Sequence, residues 1–254
     1  MAVLAPAGPS RIDRSVPTFA RDGGAVAGVM LAYFVLRGAV PGRIDDAVGL
    51  SLKLIRIEKA VGLFREQQLQ ELTLRSDLLR SVANFLYAFL HFPALICAGL
   101  WAWWRDRPRF RQVRNTLYVS MVIGLVMYYV LPAAPPRLMA LHGHDFGFVD
   151  TVFSGNGVQT YPQWSPFRNE YAAIPSFHFG WMALASAAFW TTSRSPWIRS
   201  GAIALTVVMT WASAATANHF FIDMALGGLV VWLSWLIAAR ITPRAPAAAA
   251  NRVL

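Results

Sequence analysis

Residues 218–239 read NHFFIDMALGGLVVWLSWLIAA, an apolar run whose start carries His219 and Asp223. About 20 predominantly apolar residues are enough for a helix to cross the hydrocarbon core of a bilayer. Ionisable side chains are costly in such a segment and mark functional sites by default. Because positions i and i+4 share one helix face, the carboxylate can bond the imidazole. The stretch therefore predicts a membrane helix that begins with a functional His–Asp pair.

The composition of the whole chain agrees with this prediction. Of its 254 residues, 56% are hydrophobic and only 14% are charged, which is typical of an integral membrane protein. The net charge is +10, but most basic residues lie between apolar segments, where they set topology and contact lipid headgroups. We therefore expect membrane lipids as partners and no nucleic acid. The lone Cys97 excludes an internal disulfide and a cysteine-based metal site.

Six apolar segments are candidate membrane spans. They are Gly24–Val40, Leu78–Trp104, Val113–Leu131, Ala172–Trp190, Gly201–Thr216 and Phe221–Ala239. The predicted fold is an all-α integral membrane protein, a six-transmembrane-helix bundle over residues 24–240. Residues 1–23 hold three arginines and three prolines before any apolar run, so we expect a disordered cytoplasmic tail. Residues 241–254 are expected to form a second cytoplasmic tail.

A different pattern separates the first two spans. Apolar residues recur there at spacings of three and four: Ala47, Leu50, Leu54, Ile57, Val61 and Phe64. Polar residues fall largely between them: Lys53, Arg56, Lys59, Glu66 and Gln67. The pattern predicts an amphipathic helix that lies in the interface or caps the bundle. Its role is either structural or that of a substrate gate.

Arginine clusters predict the orientation, since cytoplasmic loops are enriched in Lys and Arg. Five arginines crowd the link between spans two and three: Arg105, Arg107, Arg109, Arg111 and Arg114. Both termini are then cytoplasmic, in what we expect to be a bacterial plasma membrane. His178, His219 and the loop from Pro132 to Tyr171 lie on the extracytoplasmic side. The basic residues between spans one and two disagree with this orientation, and the denser arginine cluster decides it.

The two span-opening histidines suit phosphoryl chemistry. A carboxylate on one ring nitrogen of His219 fixes its tautomer and makes the other nitrogen a good nucleophile or base. In Pro175-Ser176-Phe177-His178, the proline favours a helix start, whose free amides and serine hydroxyl form an anion pocket. His178 then stands where it can protonate a leaving oxygen. The alternative for His219 and Asp223 is a pair that only holds two helices together.

Other polar residues are candidates for contact with phosphate or a headgroup. Arg137 follows a proline-rich exit from span three, and a guanidinium there either grips a phosphate or contacts lipid headgroups. Arg168, Asn169 and Tyr171 lie just upstream of Ser176 and are weaker candidates.

Four further residues have simpler interpretations. His142 and His144 lack a third strong metal ligand at the usual spacing, so we interpret them as solvated loop residues. His91 in span two is interpreted as a buried histidine bonded to a neighbouring helix. Arg37 near the end of span one either snorkels to the interface or lines a polar site.

Taken together, these motifs resemble the type 2 phosphatidic acid phosphatase superfamily. The resemblance rests on Pro-Ser-x-His at 175–178 and His-x-x-x-Asp at 219–223, each opening a span. The Ala-Pro-Pro-Arg-Leu segment ending at Leu138, residues 169–176, and a helix with Glu58, Glu66 and Gln68 are similar to the inositol phosphorylceramide synthase-like branch, which also occurs in bacteria. The superfamily's lysine and Arg-Pro motif has no counterpart, and Ser213 stands where an arginine usually precedes the second histidine.

The resemblance implies a mechanism without metal or cofactor. His219 would attack phosphorus and become a phosphohistidine, Asp223 would orient it, and His178 would protonate the departing oxygen of a lipid phosphate substrate. Ser176 would help to bind the phosphate, and Arg137 is the best replacement for the absent basic motif. Arginines and amides would supply the charge stabilisation.

The acceptor is left open by the sequence. Water would make the protein a lipid phosphatase, which we favour because no pocket for a second substrate can be recognised. An alcohol would make it a phosphotransferase, for example one that moves an inositol-phosphate type group to a lipid acceptor. A proton-coupled lipid transporter would need its ionisable residues at mid-membrane depth, whereas these lie at span ends. A purely structural protein would leave the convergence of three motifs unexplained.

Overall fold

The computed structural model describes residues 15–152 and 169–242. These residues form helices α1 (Ser15–Ala39), α2 (Ile44–Ala60), α3 (Glu66–Leu74), α4 (Asp77–Phe89), α5 (His91–Arg105), α6 (Arg107–Val130), α7 (Phe177–Thr192), α8 (Pro196–Ala215) and α9 (Phe221–Ile241). Two short 3₁₀ turns, Pro136–Leu138 and Ala140–His142, lie between α6 and α7. Within the described ranges there is no β-strand, and the predicted all-α class is confirmed.

Several of these helices are long and apolar enough to cross a membrane. By length and composition, the described residues contain four such helices: Thr18–Ala39, Arg107–Val130, Pro196–Ala215 and Phe221–Ile241. A fifth span forms if α4 and α5, which meet at an angle of 49°, count as one. The protein is therefore a helical membrane protein. Six spans were expected, but α7 has only 16 residues.

The second predicted span is not one straight helix. Pro93 lies in the first turn of α5, where its ring lacks an amide proton and clashes with the carbonyl four residues earlier. That carbonyl belongs to Phe89, the last residue of α4. The chain bends at Leu90 as a result. At the N-terminus, α1 begins at Ser15, so residues 15–23, expected in a disordered tail, are helical.

Helix α7 lies at the centre of the bundle and packs against α5, α6, α8 and α9. The Phe177 ring stacks on Trp181 at 4.9 Å between centroids and belongs to the largest buried apolar cluster. Two glycines bring α7 and α9 close together. A Cβ added to Gly227 would lie 2.1 Å from the carbonyl oxygen of Ser176, and one added to Gly180 would lie 2.8 Å from the carbonyl oxygen of Gly227. The start of α7 therefore touches α9 directly.

The predicted amphipathic region forms two helices rather than one. Helix α2 ends before Gly62, whose φ of 75° favours glycine, and α3 follows. The buried face of α2 differs from the predicted stripe, because Ile57 and Val61 are exposed. Glu66, grouped by its spacing with the polar positions, is fully buried, as is Glu58. The apolar side of α2 packs against the segment after α6 and against Phe220, which leads into α9.

Candidate active site

The start of α7 carries the first histidine motif. Ser176 occupies the N-cap position of the helix, but its side chain makes no capping hydrogen bond. Its hydroxyl oxygen is fully buried and has no hydrogen-bond partner among the described residues. His178 follows in the first turn. The helix therefore begins with an uncapped end and an unsatisfied buried hydroxyl, which favours an anion at this position.

The start of α9 carries the second motif. Oδ2 of Asp223 accepts a hydrogen bond from the amide of Phe220 at 2.9 Å, so this carboxylate caps its own helix. Nδ1 of His219 lies 3.6 Å from the same oxygen, which is slightly longer than a hydrogen bond. In this structure the predicted His–Asp pair is adjacent but not hydrogen-bonded. Catalytic bonds are often long in ligand-free sites and tighten when substrate binds.

His178 and His219 are in direct contact. Nε2 of His219 lies 3.4 Å from Nδ1 of His178, although the two residues are 41 positions apart in the sequence. Nε2 points to the other histidine while Nδ1 faces Asp223. Two nitrogens at this distance leave no room for another group between them.

Two residues of the bent α4–α5 pair support His178. The Tyr87 ring stacks on His178 at 4.2 Å between centroids with an interplanar angle of 23°. The His91 ring also packs against His178, edge to face, at 4.4 Å between centroids. Sequence reasoning assigned His91 only to a buried structural role and missed Tyr87. Their spacing of four residues, which puts them on one helix face, was the available signal.

Arg37 in the last turn of α1 approaches the same region. Its guanidinium donates to the backbone oxygen of Asn169 at 3.3 Å and lies 5.5 Å from the ring centroid of Tyr128. The hydroxyl of Tyr128 in turn donates to the carbonyl of Pro175 at 3.2 Å, just before α7. Arg37 also interacts electrostatically with His178. Arg37 was expected either to snorkel to the interface or to line a polar site, and its position here fits the second interpretation.

Arg137 lies in a network beside the second histidine. It is buried, and its Nε donates to Asn218 Oδ1 at 2.9 Å. The remaining guanidinium nitrogens bond Asp150 at 2.9 Å and Glu170 at 3.4 Å, and its backbone amide donates to the carbonyl of Ala217 at 2.9 Å. These bonds hold the turn that precedes His219. Direct contact of Arg137 with a phosphate stays a prediction.

The remaining candidates, from the segment between α6 and α7, are less central. The Asn169 side chain binds the carbonyls of Arg37 and Val40 at the end of α1. The hydroxyl of Tyr171 lies 3.1 Å from Nε2 of His142. Arg168 is outside the described residues. Across 15–152 and 169–242, no three His, Cys, Asp or Glu side chains are grouped as a metal site requires, so His144 and its neighbours gain no third ligand there.

Two glutamates reach the start of α9 from the α2–α3 segment. Oε1 of Glu66 accepts a hydrogen bond from the amide of Phe221 at 2.7 Å, and Oε1 of Glu58 accepts one from the amide of Ile222 at 2.8 Å. Burial raises the pKa of both carboxyl groups, that of Glu58 to about 9. Repulsion between the two carboxyl groups contributes to the raised pKa of Glu58, and the hydrogen bond from Ile222 opposes it. The sequence placed Glu58 only in a resemblance, and it placed Glu66 there and among the polar positions of the amphipathic pattern.

These features define a class of protein. It is a helical membrane protein in which two histidines in contact, with a nearby aspartate, lie at the starts of two helices. The chain belongs to the PAP2 superfamily, a family of lipid phosphatases and phosphotransferases, whose sequence profile matches residues 52–237. The predicted superfamily is thereby confirmed.

One characterised relative agrees with the predicted branch. The chain is similar to the phosphoinositol dihydroceramide synthase of Bacteroides thetaiotaomicron, with 27% identity over 158 residues. The match covers 57% of this chain and 50% of the synthase, so the chain spans about half the length of that relative. No solved structure matches the chain.

Proposed function

We propose that this protein is a membrane-embedded phosphatase or phosphotransferase that cleaves a phosphoester or pyrophosphate bond of a lipid through a phosphohistidine at His219. The observation that carries the proposal is the 3.4 Å contact between Nε2 of His219 and Nδ1 of His178. It joins two imidazoles at the starts of two apolar helices, next to the buried hydroxyl of Ser176. Such a pair supplies a nucleophile and a general acid to one site.

The reaction proceeds in two displacements. Nε2 of His219 attacks phosphorus, the phosphorus–oxygen bond to the leaving group breaks, and His178 gives its proton to the departing oxygen. Asp223 stabilises the positive charge on the His219 ring. His178, now neutral, takes a proton from water or an alcohol, whose oxygen attacks phosphorus. The phosphorus–nitrogen bond then breaks and both histidines return to their starting state.

The start of α7 is the proposed phosphate site. Its free end, the Ser176 hydroxyl and the Arg37 guanidinium provide positive charge and donors for the equatorial oxygens. The start of α9 is a poor alternative, because its amides already bind Asp223, Glu66 and Glu58. Since the helix end and the arginine supply the charge stabilisation, the scheme needs no metal ion.

The proposed topology has six crossings: α1, the bent α4–α5 pair, α6, α7, α8 and α9. Both termini are then cytoplasmic, and α2 and α3 lie at the extracytoplasmic interface of a bacterial plasma membrane. Both histidine motifs open helices that enter from the extracytoplasmic side. Arginines at the end of α5, in the first turns of α6 and around the turn from α7 to α8 support this orientation. A cysteine-accessibility scan of the two links tests it, and labelling of either from the outside would contradict it.

The second candidate is a transferase that moves a phosphoalcohol group from one lipid to another. It is favoured by the similarity to a phosphoinositol dihydroceramide synthase. In that case His219 would displace diacylglycerol from an inositol phospholipid and carry phosphoinositol instead of a bare phosphoryl group. A ceramide-type hydroxyl would then take the place of water. The chemistry of the first step is the same in both candidates.

The test is a substrate panel with purified protein in detergent. Phosphatidic acid, polyprenyl pyrophosphate and phosphatidylinositol are each supplied with and without dihydroceramide, and both free phosphate and transferred headgroup are measured. We expect turnover of at least one substrate, its loss in His219→Ala and in His178→Ala, and retention in the control His144→Ala. A covalent adduct on His219 should be detectable by intact mass in the wild-type protein when turnover is stopped with denaturant, and it should be absent from His219→Ala. Full turnover in either active-site variant would refute the proposal.

A further inference from the structure

We propose that Glu58 and Glu66 act together as positioning residues that fix the start of α9 and thereby aim His219 at the substrate. The inference rests on the function proposed above and adds the α2–α3 segment to the machinery of the same site. Neither glutamate touches the histidines, so both act through the helix that follows His219.

The geometry is unusual for a helix start. The first amides of a helix have no partner inside it and are usually capped by one side chain or by water. At the start of α9 the amides of three successive residues, Phe220 to Ile222, each donate to a side-chain carboxyl group. The three acceptors come from three different helices, namely Asp223 of α9, Glu66 of α3 and Glu58 of α2. The start of α9 is thus tied to two elements that are more than 150 positions away in the sequence.

The burial of the glutamates makes these bonds costly to disrupt. Glu58 and Glu66 are both fully buried, and the second oxygen of each has no hydrogen-bond partner among the described residues. Removing either carboxyl group would leave a buried amide without an acceptor, whereas an amide side chain of the same length would keep one. The raised pKa of Glu58 indicates that it carries a proton at neutral pH, which glutamine imitates.

This arrangement decides between the two roles considered for the α2–α3 segment. A gate would have to leave α9 during each turnover and break two buried hydrogen bonds. A fixed support would keep them. The segment also covers Phe220, the residue directly after His219, with the apolar face of α2. Both contacts favour a support that keeps the backbone at His219 in one position.

The experiment compares alanine and conservative variants of the full-length protein. Glu58→Ala and Glu66→Ala should each lower kcat by about 10-fold or more with little change in KM, because the reacting geometry and not substrate binding is affected. Glu58→Gln should restore kcat to near the wild-type value. Glu66→Asp, which keeps the charge but shortens the reach, should lower kcat and is the informative variant if alanine prevents folding. Glu71→Ala, an exposed change on α3, is the matched control.

A second measurement does not depend on activity. Hydrogen exchange followed by mass spectrometry should show faster exchange at Phe221 and Ile222 in the alanine variants and in Glu66→Asp, without a change in the rest of α9. If the wild-type protein turns over no lipid phosphate, the proposed function fails while this readout still tests the capping. Wild-type kcat and wild-type exchange in Glu66→Asp and Glu58→Ala would overturn the inference. A uniform rise in exchange over the whole protein would also overturn it, since it would indicate a general structural role.

Discussion

Replacing Gly227 with alanine tests whether close contact between α7 and α9 sets the active site. The added Cβ would lie 2.1 Å from the carbonyl oxygen of Ser176. Carbon–oxygen contacts are normally no closer than roughly 3.3 Å, so the two backbones must separate by about 1 Å. The obstacle is backbone on both sides, so no side-chain rotation relieves it. Overpacking of this kind costs about 1–3 kcal/mol of stability.

The same displacement moves the start of α7, and His178 with it, away from His219. A misplacement of about 1 Å at a reacting centre can lower turnover by about 100-fold. We therefore expect Gly227→Ala to reduce kcat by this order and to lower the Tm in detergent. Turnover is measured with whichever lipid phosphate the panel identifies, and Tm by intrinsic fluorescence.

The matched control is Gly201→Ala in α8, where an added Cβ meets nothing within 4 Å. This change should leave kcat unaltered and raise stability by about 0.4–1 kcal/mol, because alanine restricts the unfolded chain. Wild-type kcat and Tm in Gly227→Ala would refute the reasoning, since the histidine pair would then not depend on how closely the two helices approach.

Variants at three other residues test separate parts of the site. Arg37→Ala should lower kcat/KM by about 10- to 100-fold, and Arg37→Lys should recover part of it, if this guanidinium binds phosphate; steady-state kinetics decide the matter. His91→Phe should keep the packing around His178 but remove a polar neighbour, so we expect a shifted pH–rate profile at unchanged Tm. The folded protein keeps a proton on Glu58 that the unfolded chain releases above about pH 4.5, so stability should fall as pH rises from there to about 9. Glu58→Gln should flatten that fall in a series of Tm measurements.

Much of the helical architecture could be predicted because it depends on local pattern. Apolar runs of sufficient length gave the helices around residues 113–131, 201–216 and 221–239, and the structure has α6, α8 and α9 there. The bend at Leu90 was missed although its cause, Pro93, is visible in the sequence. The long apolar run of residues 78–104 led to the prediction of one continuous helix despite this proline.

The site was predictable only where its residues share a motif. The sequence pattern identifies three residues, His178, His219 and Asp223, because they are ionisable groups at the starts of apolar runs. Glu58 and Glu66 do not, because their partners are backbone amides 164 and 155 positions away, and amides leave no trace in a sequence pattern. Helical periodicity grouped Glu66 with the solvent-facing residues, because periodicity distinguishes only polar from apolar positions. It does not show that the amide of Phe221, far away in the sequence, needs a hydrogen-bond acceptor.

The contact between the two imidazoles has a consequence for when the proposed reaction can begin. Nε2 of His219, the atom proposed to attack phosphorus, lies 3.4 Å from Nδ1 of His178 and is therefore covered by the other ring before a substrate arrives. A phosphate that enters between the rings exposes this nitrogen and places its leaving oxygen beside His178 in the same movement. Entry of the substrate and assembly of the reacting groups are then one event.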